Sequence, residues 1–355
     1  MGAKYTVLQT DVKTGNVVTR LPVTGIEYAD SLNESGAASV GIPLFAPEAD
    51  PAALSPGISG LSILRDNAPI WAGIVWGATA DLDAGTLTLT ASGFHSYYKR
   101  RYLDGKRGYA RKSVDQSVLL KDWISYANSN GGIGTDISAV TARGHLRTRE
   151  WSFYEFKNIA GAIEELADDL NGFNFRYEPF WATAGVRIGH RLKVVSRGTE
   201  TFPQLEHRAS CNVTSVTYDG TQLATQAYAF GADLGTGAKP YASSSNPALT
   251  APRMVSVATY SDIKTTASLL PKAAAIATVG SQPIAVPSLT VYPGQFSPVQ
   301  FLPGAVGTVI VDSGYVALLE EFVITERRVG VDVNGTESIS LALASKDVFN
   351  NGNSS

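Results

Sequence analysis

"IWAGIVWG" (residues 70–77) holds two tryptophans and two glycines in a chain with only five tryptophans. Side chains along an extended strand alternate between faces, which places Ile70, Ala72, Ile74 and Trp76 on one side and Trp71, Gly73, Val75 and Gly77 on the other. The two indoles then point opposite ways unless Gly73 marks a bulge. A flat sugar platform needs both rings on one face, so the stretch reads as scaffold. Neither face is polar, which suits a barrel strand covered on its outside by another layer or subunit. Gly73 and Gly77 leave space for a neighbour's side chain or backbone. Trp71, Gly73, Trp76 and Gly77 are therefore assigned to core and interface, with both tryptophans mostly buried in the assembly.

The same texture extends outward. "KYTVLQT", "NVVTRLPV", "SVGIPLF" and "GLSILR" precede the tryptophan run, and "TLTLTASG" follows it after the turn "DLDAG". Leu87 and Leu89 alternate with Thr86, Thr88 and Thr90 as in a half-buried strand, so "IWAGIVWG" and "TLTLT" form a hairpin. Short strands at this spacing point to a small barrel or sandwich. After Tyr98 the period changes. "SVDQSVLLKDWISYANSNGG" opens with a Ser113-to-Gln116 capping box, and Val114, Val118, Leu119, Trp123, Tyr126 and Ala127 recur at helical spacing. Asn158 caps a second helix with Ile159, Ile163, Leu166, Ala167 and Leu170 on one face. "FNFRY" then turns Phe173, Phe175 and Tyr177 inward and pairs with "VRIGHRLKVV". Strands resume from Thr214, interrupted by a helix near 262–278 that Pro271 breaks or kinks. Asn334-Gly335 marks a closing hairpin.

A length of 355 residues favours two or three domains. The expected class is β-rich α+β, with two small β-barrel domains, 1–98 and 206–350, and an α/β insertion, 99–205, between them. Residues 351–355 form a frayed end. Charged residues make up 17 % of the chain, against about 25 % in ordinary soluble domains. That leaves surface for other subunits to cover. The net charge of -3 gives no global reason for nucleic-acid or membrane binding. No window approaches a membrane span.

Candidate chemistry is sparse. Cys211 alone excludes an intrachain disulfide and reads as a buried small hydrophobe. His95, His145, His190 and His207 lack ligand spacing, so no metal and no cofactor are expected. Glu164, Glu165, Asp168 and Asp169 lie off the apolar helix face and read as its solvated side rather than as a hydrolytic pair. "GADLGTG" lacks the Lys-Ser/Thr of a phosphate loop, and no G-x-S-x-G elbow occurs. The most suggestive segment is "YYKRRYLDGKRGYARK" (97–112). Its cations are interleaved with Tyr97, Tyr98, Tyr102 and Tyr109, a texture that suits single-stranded nucleic acid. The rest of the chain supplies no basic surface. Lys99, Arg100, Arg101, Lys106 and Arg107 therefore read either as a solvated turn region or as a loop for electrostatic docking on a protein neighbour, both ahead of nucleic-acid binding.

In order and spacing these motifs resemble the tail hub (minor tail) proteins of long-tailed, siphovirus-type bacteriophages of actinobacterial hosts. The resemblance rests on "R-x-x-x-x-x-W-x-G-x-V" leading through a hairpin to "A-S-G" and "Y-Y-K-R-R". It continues with "NIAGAIEELADDLNGFNFRY", "SVTYDGTQLATQAYAFGADLGTG", "PGAVGTVIVD" and "ESISLALASK", and so covers nearly the whole chain. It implies kinship with baseplate hubs of contractile tails. The implied assembly is a homotrimeric ring at the tail tip of the virion, made in the host cytoplasm. Its implied partners are the distal tail protein, tail tube, tape-measure protein and tip or fibre proteins, with DNA only in transit and no membrane insertion. Longer members carry enzymatic extensions; this chain stops soon after "SISLALASK", so a non-enzymatic role is expected. The alternatives are a glycan-binding or glycan-cleaving tail-tip protein and a distal tail protein.

Overall fold

The computed structural model describes residues 3–105, 107–168, 172–233, 235, 239–247, 249–260, 263, 265–332 and 334–346. The chain is β-rich with few helices and divides into two compact units. The first comprises Met1–Glu200, Val291–Gly304 and Thr325–Leu341; the second comprises Thr201–Thr290, Ala305–Ile324 and Ala342–Ser355.

In the first unit an antiparallel sheet runs, in spatial order, Val17–Leu21, Tyr5–Asp11, Ser59–Arg65, Ala68–Asp81, Thr86–Gly93, Ala37–Pro43 and Gly25–Ser31. Residues 326–331 of a long strand, Val316–Val331, then pair with Gly25–Ser31. Local chemistry sets the hairpins. Asp66 (φ 49°) and Asn67 (φ 66°) are the two turn residues between Arg65 and Ala68. Left-handed backbone at both positions makes the tight turn that matches strand twist, and Asp and Asn tolerate it better than most residues. The expected hairpin of "IWAGIVWG" with "TLTLT" is present, but its bulge falls between Val75 and Gly77, not at Gly73.

The helix Gln116–Ser129 starts two residues later than a cap at Ser113 would place it. Ser113 belongs to the strand Tyr109–Asp115 with φ 51°. The Asp115 carboxylate caps instead, accepting from Ser117 N at 2.9 Å and Gly144 N at 2.6 Å. This satisfies an orphan helix N–H and ties down the 143–144 loop together. Leu119, Leu120, Trp123 and Ile124 are fully buried, whereas Val118, expected inside, is 38 % exposed. Asn158 caps the next helix, Ile159–Asp168, accepting from Gly161 N at 3.0 Å. The strands Phe173–Thr183 and Arg187–Ser196 pair as expected and bury Phe173 and Phe175 against both helices. Leu170 and Asp169 lie outside the described residues.

In the second unit Leu205–Glu206 runs parallel to Val306–Ser313, and the latter pairs antiparallel with residues 316–323. Cys211 is fully buried, and burial pushes its thiol up to about 11. A smaller sheet joins Gln226–Phe230 to Tyr241–Ser245 (antiparallel) and Val255–Thr259 (parallel). The helix Thr266–Val279 packs on one of its faces and continues through Pro271.

Candidate interaction surfaces

The sequence-selected residues of the tryptophan strand all sit in the first unit. Trp71 is 2 % exposed, and its indole N–H donates to the Ala29 carbonyl at 3.2 Å. A Cβ at Gly73 would stand 2.3 Å from the Ser92 carbonyl oxygen, and one at Gly77 would stand 2.6 Å from Thr90 Oγ1. The close approach that the glycines allow is thus made by the adjacent strand Thr86–Gly93. The opposite face of the same strand is covered as well. Ala72 and Ile74 pack with Phe94 and Ile133, and Trp76 lies half-buried at the margin of that cluster.

Trp76 links this strand to the basic segment. Its indole N–H donates to Ser96 Oγ at 2.9 Å, and the Arg100 guanidinium lies 4.3 Å from its ring centroid. A cation over an indole face is attracted by the ring quadrupole. The neighbouring cations are engaged within the chain too. Lys99 pairs with Glu34 at 2.8 Å. Arg101 donates to the Asn130 carbonyl at 3.0 Å, at the C-terminal end of the helix Gln116–Ser129, where a cation complements the unpaired carbonyls. Arg107 is exposed, and Lys106 lies outside the described residues. Among the described cations of the segment, Lys99, Arg100 and Arg101 hold the chain's own groups and Arg107 is exposed.

Within the acidic cluster Glu165 and Asp168 are exposed, as the solvated side of the helix would be, whereas Glu164 departs from that role. Glu164 reaches back to buried His95, with Oε1 2.8 Å from Nε2, and this hydrogen bond holds the carboxyl below its ordinary range. Tyr177 OH stands 3.4 Å from the other ring nitrogen. Glu165 pairs with Lys157. The contact between His95 and Glu164 spans 69 residues of chain, so no local spacing announces it. His190 is buried nearby, stacked on Phe94 at 3.8 Å and joined to Thr135 Oγ1 at 2.8 Å. Thr135 Oγ1 is in turn 2.6 Å from Tyr98 OH. Burial drives the His190 imidazole down to about 3, so it is neutral at physiological pH.

A cleft of about 670 Å³ in this unit is lined by Asp11, Lys13, Phe94, Asp136, Arg187 and His190 among others. Its carboxylates build their own turns. Asp11 accepts from Thr14 N at 2.7 Å and Thr14 Oγ1 at 2.6 Å, and Asp136 accepts from Ser138 N at 2.8 Å. Among the described residues no cluster of three or more His, Cys, Asp or Glu could hold a metal ion, and no helix is long and apolar enough to cross a membrane.

No protein-family model and no curated protein matches the chain. Its fold is nevertheless shared end to end with solved phage tail proteins. The 43 kDa tail protein of prophage MuSo2 from Shewanella oneidensis is 13 % identical, with 97 % of this chain and 99 % of that chain covered and a TM-score of 0.66. A tail protein from Neisseria meningitidis MC58 is 14 % identical over 96 % of both chains, with a TM-score of 0.62. Prophage tail protein gp18 from Listeria monocytogenes EGD-e is 11 % identical, with 95 % and 94 % covered and a TM-score of 0.56. At such identities the likeness is one of fold.

Proposed function

We propose that the protein is a non-enzymatic structural subunit of a bacteriophage tail: the trimeric hub ring at the tip of a long-tailed phage of an actinobacterial host. In this reading the ring joins the tail tube and distal tail protein to the tip or fibre proteins, and DNA passes through its lumen. The two β-rich ends of the chain supply barrel-like domains that alternate around a pseudo-sixfold collar. The observation that carries the proposal is the full-length match of fold to a phage tail protein, 97 % of this chain against 99 % of the other. A fold shared only in part would be compatible with a common module on an unrelated protein.

Three features of the chain support it. The tryptophan strand is covered on both faces, which makes it rigid scaffold. Asp11 and Asp136, which line the cleft of about 670 Å³, each accept hydrogen bonds from their own turns and so serve local structure. Arg107 stays exposed for contact with a neighbour, and a ring offers its strand edges partners that a monomer lacks. The test is light scattering of the purified chain, alone and with its tail-tube protein, coupled to negative-stain imaging. Threefold rings are expected. A strict monomer under both conditions overturns the reading, and sixfold rings reassign the chain to the distal tail position.

A further inference from the structure

In the small sheet of the second unit the small side chains are covered and the large ones are open. Ala229, Ala242 and Ala258 pack with Leu269 and Ala273 of the helix Thr266–Val279. On the other face Tyr241, Val255 and Val257 are half-exposed, with Tyr228 and Phe230 partly buried beside them. Register places them together, since Phe230 opposes Tyr241 and Tyr228 opposes Val257. Exposed Lys239 and Arg253 stand two residues ahead of Tyr241 and Val255, in the same alternation and at opposite ends of the sheet. The ladder extends toward both, because the Pro240 carbonyl accepts from Gly231 N and the Met254 carbonyl from Gln226 N. No outward position of the three strands is Asp or Glu. Asp233, in the loop between the first two strands, accepts from Gly235 N within its own turn. The open face is therefore apolar and cationic at its ends, and an open apolar face marks an interaction surface.

The larger sheet of the same unit has a face of the opposite charge. Leu205–Glu206, Val306–Ser313 and residues 316–323 lie side by side in it. Val309, Val311, Leu318 and Phe322 turn inward and are buried. The other parity points out: Glu206 stands next to Ile310, Ile310 next to Leu319, Asp312 next to Ala317, and Thr308 next to Glu321. Leu319 is 71 % exposed, and Tyr315 at the hairpin tip is 89 % exposed. Tyr218, beside exposed Asp219, meets Tyr315 edge-on. Glu206, Asp312 and Glu321 are exposed around the apolar residues. Lys346 pairs with Glu321, and Arg208 lies in the turn after Glu206, so the four carboxylates remain in excess.

The two faces are complementary. On the small sheet the rings lean on one another, Phe230 between Tyr228 at 6.3 Å and Tyr241 at 5.8 Å. They offer packing surface for aliphatic side chains rather than free π faces for a base. Protein interfaces surround an apolar centre with a polar rim, and opposite charges at the rim fix orientation and register. Ile310, Leu319 and Tyr315 supply the apolar centre, and Glu206, Asp312 and Glu321 the charge opposite to Lys239 and Arg253. Two different faces of one chain make a head-to-tail contact, which closes into a ring or runs on as a filament. We propose that the aromatic face of the small sheet receives the acidic hairpin face of a second copy, with Lys239 and Arg253 set against its carboxylates. The proposal rests on the ring reading and names the faces that meet in it.

The experiment is light scattering of the full chain over a dilution series, which gives the dissociation constant for self-association. Tyr241→Ala should raise that constant by about tenfold or more. So should Lys239→Glu with Arg253→Glu, and separately Glu206→Lys with Asp312→Lys. Combining both pairs of reversals in one chain should bring it back to within about threefold of wild type. A variant that merely misfolds is not rescued in this way, and far-ultraviolet circular dichroism checks each fold. If wild type associates and the separate reversals leave it unchanged, or the combination is no better than either, this contact is wrong and the ring reading stands. If wild type stays monomeric both alone and with its tail-tube protein, the ring reading falls and the contact with it. Loss of tail-tube binding on Tyr241→Ala, with self-association intact, assigns the face to that partner and overturns the proposal.

Discussion

The strand Ala68–Asp81 of the first unit and the small sheet of the second both alternate large and small residues, yet they use the alternation for opposite ends. Around Trp71 the chain closes on itself from both sides. The Ala29 carbonyl takes the indole proton, the Ser92 carbonyl fills the space beside Gly73, and Phe94 and Ile133 cover the reverse face. In the small sheet the alanines meet the helix, and the tyrosines, phenylalanine and valines remain outside. An aromatic in the first setting holds the fold together. The same residue type in the second adds little to folding and is available for recognition. Exposure alone does not separate these roles; what separates them is whether the chain itself supplies the covering layer.

Substitution makes the contrast measurable. All five tryptophans lie in the first unit, so their fluorescence follows its unfolding selectively. Trp71→Ala removes a fully packed indole and its hydrogen bond to the Ala29 carbonyl and leaves a cavity, for an expected loss of about 3–5 kcal/mol. Gly73→Ala should cost about 1–3 kcal/mol, since the new methyl meets backbone that cannot swing aside. Tyr241→Ala, by contrast, should change stability by no more than about 0.5 kcal/mol, measured by far-ultraviolet circular dichroism. If Tyr241→Ala proved as damaging as Trp71→Ala, the distinction between the two faces would fail.

Acid should weaken the first unit through His190. Its folded value, about 3, lies below the ordinary 6.5, so the native imidazole stays neutral where the unfolded one has taken up a proton. The stability it contributes is fully present above pH 6.5 and declines as pH falls toward 3, by up to about 1.4 kcal/mol per pH unit. Glu164, also held low, adds a loss only at lower pH, below its ordinary 4.5. Denaturation of wild type and His190→Asn between pH 7 and 5 therefore isolates the histidine. The variant's stability should fall less steeply with acidity, and parallel curves would show that His190 does not carry this dependence.

Much of the architecture is legible in the sequence because period-two and period-3.6 patterns are local. The hairpin of "IWAGIVWG" with "TLTLT", the Asn158 cap and the inward Phe173 and Phe175 all follow from neighbours along the chain. The bulge at Trp76 is not legible, because it depends on register with another strand. Nor is the pairing of Glu164 with His95: helical periodicity places the carboxylate off the apolar face, and only tertiary packing brings a buried imidazole to it. "TQAYAF" is the sharpest case. Its alternation shows that Tyr228 and Phe230 share a side, but not which side the helix covers. Hydrophobicity alone would turn them inward. A signal does exist in the run of alanines at the opposite parity, opposite an alanine-rich helix, where only small residues allow close packing.

The smallest expected effect tests the basic segment. Lys99 and Glu34 meet at 2.8 Å, but their side chains are 45 % and 52 % exposed. Holding two long side chains in one geometry opposes the Coulomb gain, and water and salt screen what remains. Lys99→Ala should therefore shift stability by less than about 0.5 kcal/mol in thermal unfolding, with the difference fading as salt rises. Arg101→Ala should cost more than Lys99→Ala at every salt concentration, since Arg101 is less exposed and bonds the carbonyl end of the helix Gln116–Ser129. Equal losses for the two would mean that the segment acts as one solvated patch. A clear gap would mean that Arg101 acts as part of the scaffold, leaving contact with a neighbour to the exposed cations beyond it, Arg107 first among those described.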